Sequence, residues 1–206
     1  MKEKVAVDQE FTNYPKSDAK LLLLFSSGRD STAVLKLLLE STINEIYVYH
    51  ASHKTHNHKY EAEDQAANNV LEYFRQHNRP VTNYSSSIID QTGWNYYETF
   101  NALTDVAAPL VEKYKCGYVA SGRKKIGSFT TRPELFQQQH EYQRKVGVPW
   151  IYPVWKWTDQ QNADYLGNEL CSLTWSCGIP VKTSSGWVAC GRCEPCMSIK
   201  DVTYPG

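Results

Sequence analysis

An apolar run that stops at a polar, glycine-bearing turn constrains this chain more than any other feature in it. Leu21–Phe25 reads LLLLF and is followed at once by SSGRDST, Ser26 to Thr32. A short apolar run bounded by a turn is the pattern of a strand buried on both faces. From Ser31 the pattern changes. Val34, Leu35, Leu38 and Leu39 recur at helical spacing, with Lys36 and Glu40 off that face. A buried strand therefore hands the chain to a helix through a few polar residues. At such a helix start the first N–H groups lack partners and the dipole is positive, which suits an anion, phosphate above all. Gly28 lets backbone come close to an anion. Ser26, Ser27, Ser31 and Thr32 bring hydroxyls. Asp30 is placed either to cap the helix or to hold a magnesium ion that travels with phosphates. The same residues also make an ordinary strand-to-helix turn, and the turn alone does not separate the two readings. The GxxxxGK[ST] pattern of the commonest phosphate loop is absent.

The alternation of strand and helix continues. Glu45–Tyr49 predicts a second strand, aromatic and β-branched. Tyr60–Gln76 predicts a helix with Ala66, Ala67, Val70, Leu71 and Phe74 on one side. Pro80–Tyr84 predicts a third strand, Gly117–Ala120 a fourth and Trp150–Val154 a fifth. Helix is expected over Tyr96–Lys115, kinked or split at Pro109. It is also expected over Pro133–Val146, with proline in the first turn, and from Thr158 to Leu170, where Thr158 and Asp159 are candidate caps. The fold expected is α/β: an open, mainly parallel five-stranded sheet with helices on both faces. The 206 residues suit a single domain. It would comprise an arm over 1–19, a core over 20–170 and a loop-like C-terminal segment over 171–206.

Charge narrows the function little. Twenty-two basic residues balance twenty-two acidic ones, so no global field draws the chain to nucleic acid or membrane. No apolar run approaches the roughly 20 residues of a membrane span, and MKEKVAVDQEF at the start is unlike a secretory signal. A cytoplasmic protein is expected. The six tryptophans read as packing residues before base-stacking ones.

Six cysteines in a reducing compartment read as metal ligands or catalytic groups before disulfides. Cys116 and Cys171 fit buried thiols. The other four crowd the C-terminal end. Twelve residues separate Cys177 from Cys190, and Cys193 and Cys196 follow at two-residue gaps. Such gaps let thiolates share one ion from a tight turn, and a distant fourth closes the tetrahedron with no open position, as in structural zinc sites. An iron–sulfur cluster is the rival reading.

Two motifs together carry a resemblance. FSSGRDSTAVL resembles the SGGxDS motif of the PP-loop ATP pyrophosphatases, matched by Ser26, Gly28, Asp30 and Ser31. Ser27 stands where that superfamily has its first glycine. The segment TWSC…CGRCEPC is similar to the zinc motif of the 7-cyano-7-deazaguanine synthases, which are PP-loop enzymes. HKYE, His58 to Glu61, resembles that family's H-x-x-E. TRPELF, Thr131 to Phe136, is similar to its C-R-P-E-F, matching Arg132, Pro133, Glu134 and, with one inserted residue, Phe136.

The resemblance implies an ATP-dependent C–N ligase of queuosine-type 7-deazaguanine biosynthesis. It would adenylate the carboxylate of 7-carboxy-7-deazaguanine and convert it with ammonia to the amide, the nitrile or both. The implied cofactors are ATP, Mg2+ and Zn2+. ATP is assigned to Ser26, Ser27, Gly28, Arg29, Asp30, Ser31, Thr32, His58 and Glu61, and catalysis to Asp30, Ser31, Lys124 and Arg132. The deazapurine is assigned to Gly122, Arg123, Lys125, Arg132 and Glu134, and the metal to Cys177, Cys190, Cys193 and Cys196. A homodimer is implied, with no membrane and no direct nucleic-acid partner.

The chain also departs from the pattern. Thr130-Thr131 replaces Asp-Cys before the Arg-Pro-Glu stretch, the arginine segment before the middle helix is missing, and Asp159 aligns with a lysine unless Lys156 serves. Arg123, Lys124 and Lys125 replace an acidic, aromatic segment. Two further readings follow from these differences: an adenylating enzyme with another acceptor, or a zinc-stabilised nucleotide-binding protein without catalysis. His50, His53, His56 and His58 lie within nine residues but fit no single helix or strand face, which favours a polar loop over a second metal site.

Overall fold

The computed structural model describes residues 18–54, 59–93, 96–123, 141–200 and 202, with backbone alone at 96–100. Five parallel strands form the main sheet: β1 (Lys20–Phe25), β2 (Ile46–Lys54), β3 (Asn83–Asp90), β4 (Cys116–Ser121) and β5 (Trp150–Ile151). Their order is β3-β2-β1-β4-β5. The helices are α1 (Arg29–Ser41), α2 (Lys59–His77), α3 (Tyr96–Tyr114), α4 (Asp159–Leu173) and α5 (Glu194–Ser198).

β1 is central because its residues are apolar on both faces. Leu21, Leu23 and Phe25 join one core cluster with Val34, Leu35 and Leu38 of α1, Val70 and Phe74 of α2, and Leu166 and Leu170 of α4. Leu22 and Leu24 join a second, with Ala107 and Val111 of α3, Val119 of β4, and Tyr142, Trp150, Tyr152 and Trp155. All five apolar side chains of β1 are buried, each contributing roughly 1.5–3 kcal/mol. Layers of helix thus cover both faces of a parallel sheet, as the alternation predicts. Trp150 and Trp155 are packing residues, 1% and 3% exposed.

Several boundaries differ from expectation, each for a physical reason. β3 runs from Asn83 to Asp90 rather than from Pro80 to Tyr84. Its serines have weak strand propensity, and pairing with β2 along eight positions supplies what local preference does not. The fifth strand shrinks to Trp150–Ile151, because only those residues pair with β4. α3 continues through Pro109 instead of splitting there. α4 opens with a full capping box: Thr158 accepts from Gln161 N, and the Gln161 side chain accepts from Thr158 N. The segment read as loop holds an antiparallel hairpin, β6 (Val181–Thr183) with β7 (Gly186–Val188), and the short α5. Of the helix expected over Pro133–Val146, residues 141–146 are helical and the rest lies outside the described residues. Among the described residues no helix is long and apolar enough to cross a membrane.

Candidate nucleotide and metal site

In an open parallel sheet, ligands bind beyond the carboxyl ends of the strands, where the strand order reverses. Here that point lies between β1, which leads to β2 on one side, and β4 on the other. A cavity of about 640 Å³ opens there. Its walls include Ser26, Gly28, Arg29, Asp30 and Ser31 after β1, His53 of β2, and Ser121, Gly122 and Arg123 at the end of β4. Ser176 and the α5 residues Glu194, Pro195 and Ser198 close another side.

The turn after β1 is built around Ser31. Its Oγ donates to Gly28 O at 3.0 Å, accepts from Ser26 N at 3.3 Å and lies 3.1 Å from Ser26 Oγ. Gly28 is the N-cap of α1 and provides no side-chain cap, so no cap side chain covers the first-turn N–H groups. Thr32 N donates to Gly28 O at 3.0 Å and starts the helix. Asp30 sits in the first turn, where its charge suits the dipole, and Asn162 Nδ2 of α4 donates to its Oδ1. The Arg29 side chain is 6% exposed, and its two terminal nitrogens have no hydrogen-bond partner. A buried guanidinium left unsatisfied is costly. Its positive charge beside the cavity wall favours an anion there, so the residues present fit a nucleotide phosphate chain.

Ser27 occupies the position where the resembling motif has glycine, and its φ is +59°. Residues with a Cβ rarely adopt that conformation, at a cost of roughly 1–2 kcal/mol. Its Oγ lies 2.5 Å from Ser26 O and 3.0 Å from Glu63 O, sharing one proton between them. Its own carbonyl accepts from Trp175 N at 3.0 Å. The strained residue is thus fastened from α2 and from the segment before the cysteines. Ser27 and Thr32 are fully buried and are not among the residues lining the cavity.

The end of β4 approaches the start of α1 so closely that only glycine fits. A Cβ on Gly122 would lie 2.3 Å from Ser31 N and 2.6 Å from Asp30 C. Gly122 therefore has a packing role in the phosphate turn itself. Neither the motif nor the spacing reveals this, because the contact spans the sheet.

The four C-terminal cysteines come together. The sulfurs of Cys177, Cys190, Cys193 and Cys196 all lie within 4.8 Å of one another, and Cys177 Sγ is 3.9 Å from Cys193 Sγ. Around one ion with metal–sulfur bonds of about 2.3 Å, tetrahedral thiolates stand about 3.8 Å apart. Backbone N–H groups of Gly178, Cys190 and Cys193 donate to Cys193, Cys177 and Cys190 sulfurs at 3.3, 3.2 and 3.3 Å. N–H donors around sulfur favour thiolate. The Arg192 N–H, ahead of that of Cys193, helps hold the Cys190 thiol below its ordinary pKa. This group can hold a metal ion.

The cysteine group and the turn after β1 share a wall. Trp175 donates its backbone N–H to Ser27 O and its indole N–H to Cys177 O at 3.0 Å. Gly28 faces Trp175 O, 3.5 Å from where a Cβ would stand. Glu61, assigned to ATP from the motif, pairs with Lys182 of the cysteine hairpin at 3.6 Å. His58, Lys124, Lys125, Arg132 and Glu134 lie outside the described residues.

No family model matches the chain, and no curated protein does. Solved structures do. A U34-tRNA thiolase, NcsA from Methanococcus maripaludis with its [4Fe-4S] cluster, superposes with a TM-score of 0.58 at 15% identity. The alignment covers 85% of this chain and 64% of that one, so this chain spans less than two thirds of its neighbour's length. A predicted tRNA methyltransferase subunit from Methanocaldococcus jannaschii matches at a TM-score of 0.39 and 12% identity, over 70% and 72% of the two chains. The sheet, its helices and the NcsA likeness give this chain a PP-loop-like α/β fold, with a four-cysteine group that can hold a metal.

Proposed function

We propose that the chain is an ATP-using, adenylating enzyme of the 7-cyano-7-deazaguanine synthase kind, acting on the carboxylate of 7-carboxy-7-deazaguanine. The carrying observation is one cavity bounded by the uncapped start of α1, the cations Arg29 and Arg123, and the cysteine-bearing α5. A carboxylate oxygen attacks the α-phosphorus of ATP and pyrophosphate leaves with the bonding electrons. Ammonia then attacks the acyl carbon, loses a proton, and AMP departs to give the amide. A second activation at the amide oxygen, followed by loss of AMP and two N–H protons, gives the nitrile. The chain's part is to bind and orient. Gly28 and the first turn of α1 receive phosphate oxygens, Arg29 and Arg123 offset charge as it develops, and Asp30 stands where it can hold magnesium. Bound magnesium would screen the phosphates and activate the α-phosphorus.

For the cysteine group we propose zinc in a structural role. The sulfurs are spaced for one tetrahedral ion, whereas a four-iron cubane needs its thiolates spread wider. The neighbour's iron–sulfur cluster keeps a second reading open to measurement. One zinc per chain by elemental analysis, with no visible iron–sulfur absorbance, supports the first, and iron with inorganic sulfide overturns it.

The test of activity is to incubate the protein with MgATP, ammonia and 7-carboxy-7-deazaguanine. AMP and amide or nitrile are expected, and Asp30→Ala should abolish them. AMP no higher than without the deazapurine counts against this substrate. MgATP bound with no turnover on any carboxylate favours a non-catalytic nucleotide-binding protein.

A further inference from the structure

His50 lies at the last register position where β2 pairs with β1, opposite Phe25 and directly beneath the phosphate turn. It is 1% exposed. Its Nδ1 is 2.8 Å from Phe25 O, and its Nε2 is 2.9 Å from Asp64 Oδ1 on α2. Both partners are acceptors, since a carbonyl oxygen and an ionised carboxylate have no proton to give. A neutral imidazole carries one N–H and satisfies only one of them. Ser52 Oγ donates to the same Asp64 oxygen, so that carboxylate is already an acceptor from a second side. Among the described residues, the other charged or titratable groups near the pair are His53 on β2, Glu63 and Lys59 on α2, and Tyr84 on β3.

We propose that His50 is held as an imidazolium between Phe25 O and Asp64, and that in this form it is a positioning residue for the phosphate turn. Two adjacent residues of α2 then fasten the turn. Glu63 O receives Ser27 Oγ, and Asp64 holds His50, which holds Phe25 O. The two fastened residues flank Ser26, the first residue of the turn to line the cavity. α2 thereby fixes where the backbone N–H groups point, without touching the ligand. The effect on binding rests on the phosphate reading of the turn; the protonation of His50 does not.

The test has two readouts on the full chain. Nitrogen-15 spectra of the histidine side chains at neutral pH should show both ring nitrogens of His50 protonated in the wild type. In Asp64→Asn the amide can donate to Nε2, so His50 should revert to the neutral form with Nδ1–H. A single-proton ring for His50 in the wild type overturns the proposal. MgATP calorimetry gives the positioning readout. His50→Asn keeps a donor where Nδ1 faces Phe25 O and should bind within about threefold of wild type, whereas His50→Gln should lose about tenfold or more. Equal losses in the two variants, at matched melting temperatures, overturn the positioning role. Wild-type protein that binds no MgATP defeats the phosphate reading instead, and the spectra still decide the state of His50.

Discussion

The turn after β1 and the cysteine group are both tight turns rich in backbone N–H groups, yet they are held in opposite ways. The turn after β1 is fixed by the protein itself. It leaves the most buried strand, Ser27 and Thr32 are fully inaccessible, and Ser31 ties both ends of it together. The cysteine segment has almost no core of its own. Ile179, Val181 and Val188 are 51%, 46% and 42% exposed, and what gathers the segment is four sulfurs converging on one point. A turn built on the sheet is ready before its ligand arrives, whereas a turn built on four thiolates is ordered by the ion. Trp175 joins the two, so the sheet-built turn has one wall formed by the cysteine segment.

The largest expected effect comes from breaking the metal-dependent side. Cys193→Ser removes one of four ligands. With free metal at about 1,000 times Kd, the lost linkage is about 4 kcal/mol, which for a chain of this size lowers Tm by roughly 10 °C. Calorimetric melts alongside metal content check this, and an unchanged Tm would remove the structural role of the metal.

On the preorganised side two glycines separate by position. Gly122→Ala puts a methyl carbon 2.3 Å from Ser31 N. Either β4 or the start of α1 must shift, at a cost of about 1–3 kcal/mol, and MgATP affinity should fall further than stability does. Gly28→Ala meets nothing nearer than 3.5 Å, so its melting temperature should stay near wild type. Chemical denaturation and nucleotide titration of both variants separate packing from ligand approach.

A smaller effect tests the strain at Ser27. Ser27→Ala keeps the left-handed backbone and loses the bond to Glu63 O, whereas Ser27→Gly loses the bond but relieves the backbone. Ser27→Ala should be less stable by roughly 1 kcal/mol. The reverse order in urea denaturation would mean that the serine is unstrained there.

The smallest effect is in the pH profile. Burial, with Lys59 and His50 nearby, lowers the pKa of His53 to about 4 from 6.5. The unfolded chain therefore binds the proton first as pH falls. The contribution is fully present above about pH 6.5 and is lost as pH drops toward 4. Glu63 opposes it, since burial raises its pKa and favours the folded state on acidification. The wild type should lose stability relative to His53→Gln over that window, and parallel stability profiles would contradict the shift.

Much of this was legible in the residues because the information was local. The apolar run and its turn locate β1 and α1, and the cysteine spacing locates the metal group. Thr158, one of the two cap candidates with Asp159, marks the start of its helix, and the structure adds Gln161 as the other half of the box. Ser27 stands where the resembling motif has glycine, and φ there is positive. What stayed hidden depends on residues distant in sequence. Gly122 is required by α1 rather than by its own turn, and His50 owes its setting to a register with Phe25 and to Asp64 a helix away. Glu61 turned toward Lys182 because the cysteine hairpin folds back over α2. The hairpin was within reach of a closer reading, since Ser185-Gly186 between Val181 and Val188 is a turn signal.

On the proposed function, the sheet-built turn and the cysteine-built wall enclose the same nucleotide. The direct measurement is MgATP calorimetry on metal-loaded protein, on chelator-treated protein, and on the latter after zinc is restored. Binding should be present in the first, at least about tenfold weaker in the second and recovered in the third, a linkage of about 1.4 kcal/mol or more. Equal affinity with and without the metal, or no binding to the loaded protein, would contradict it.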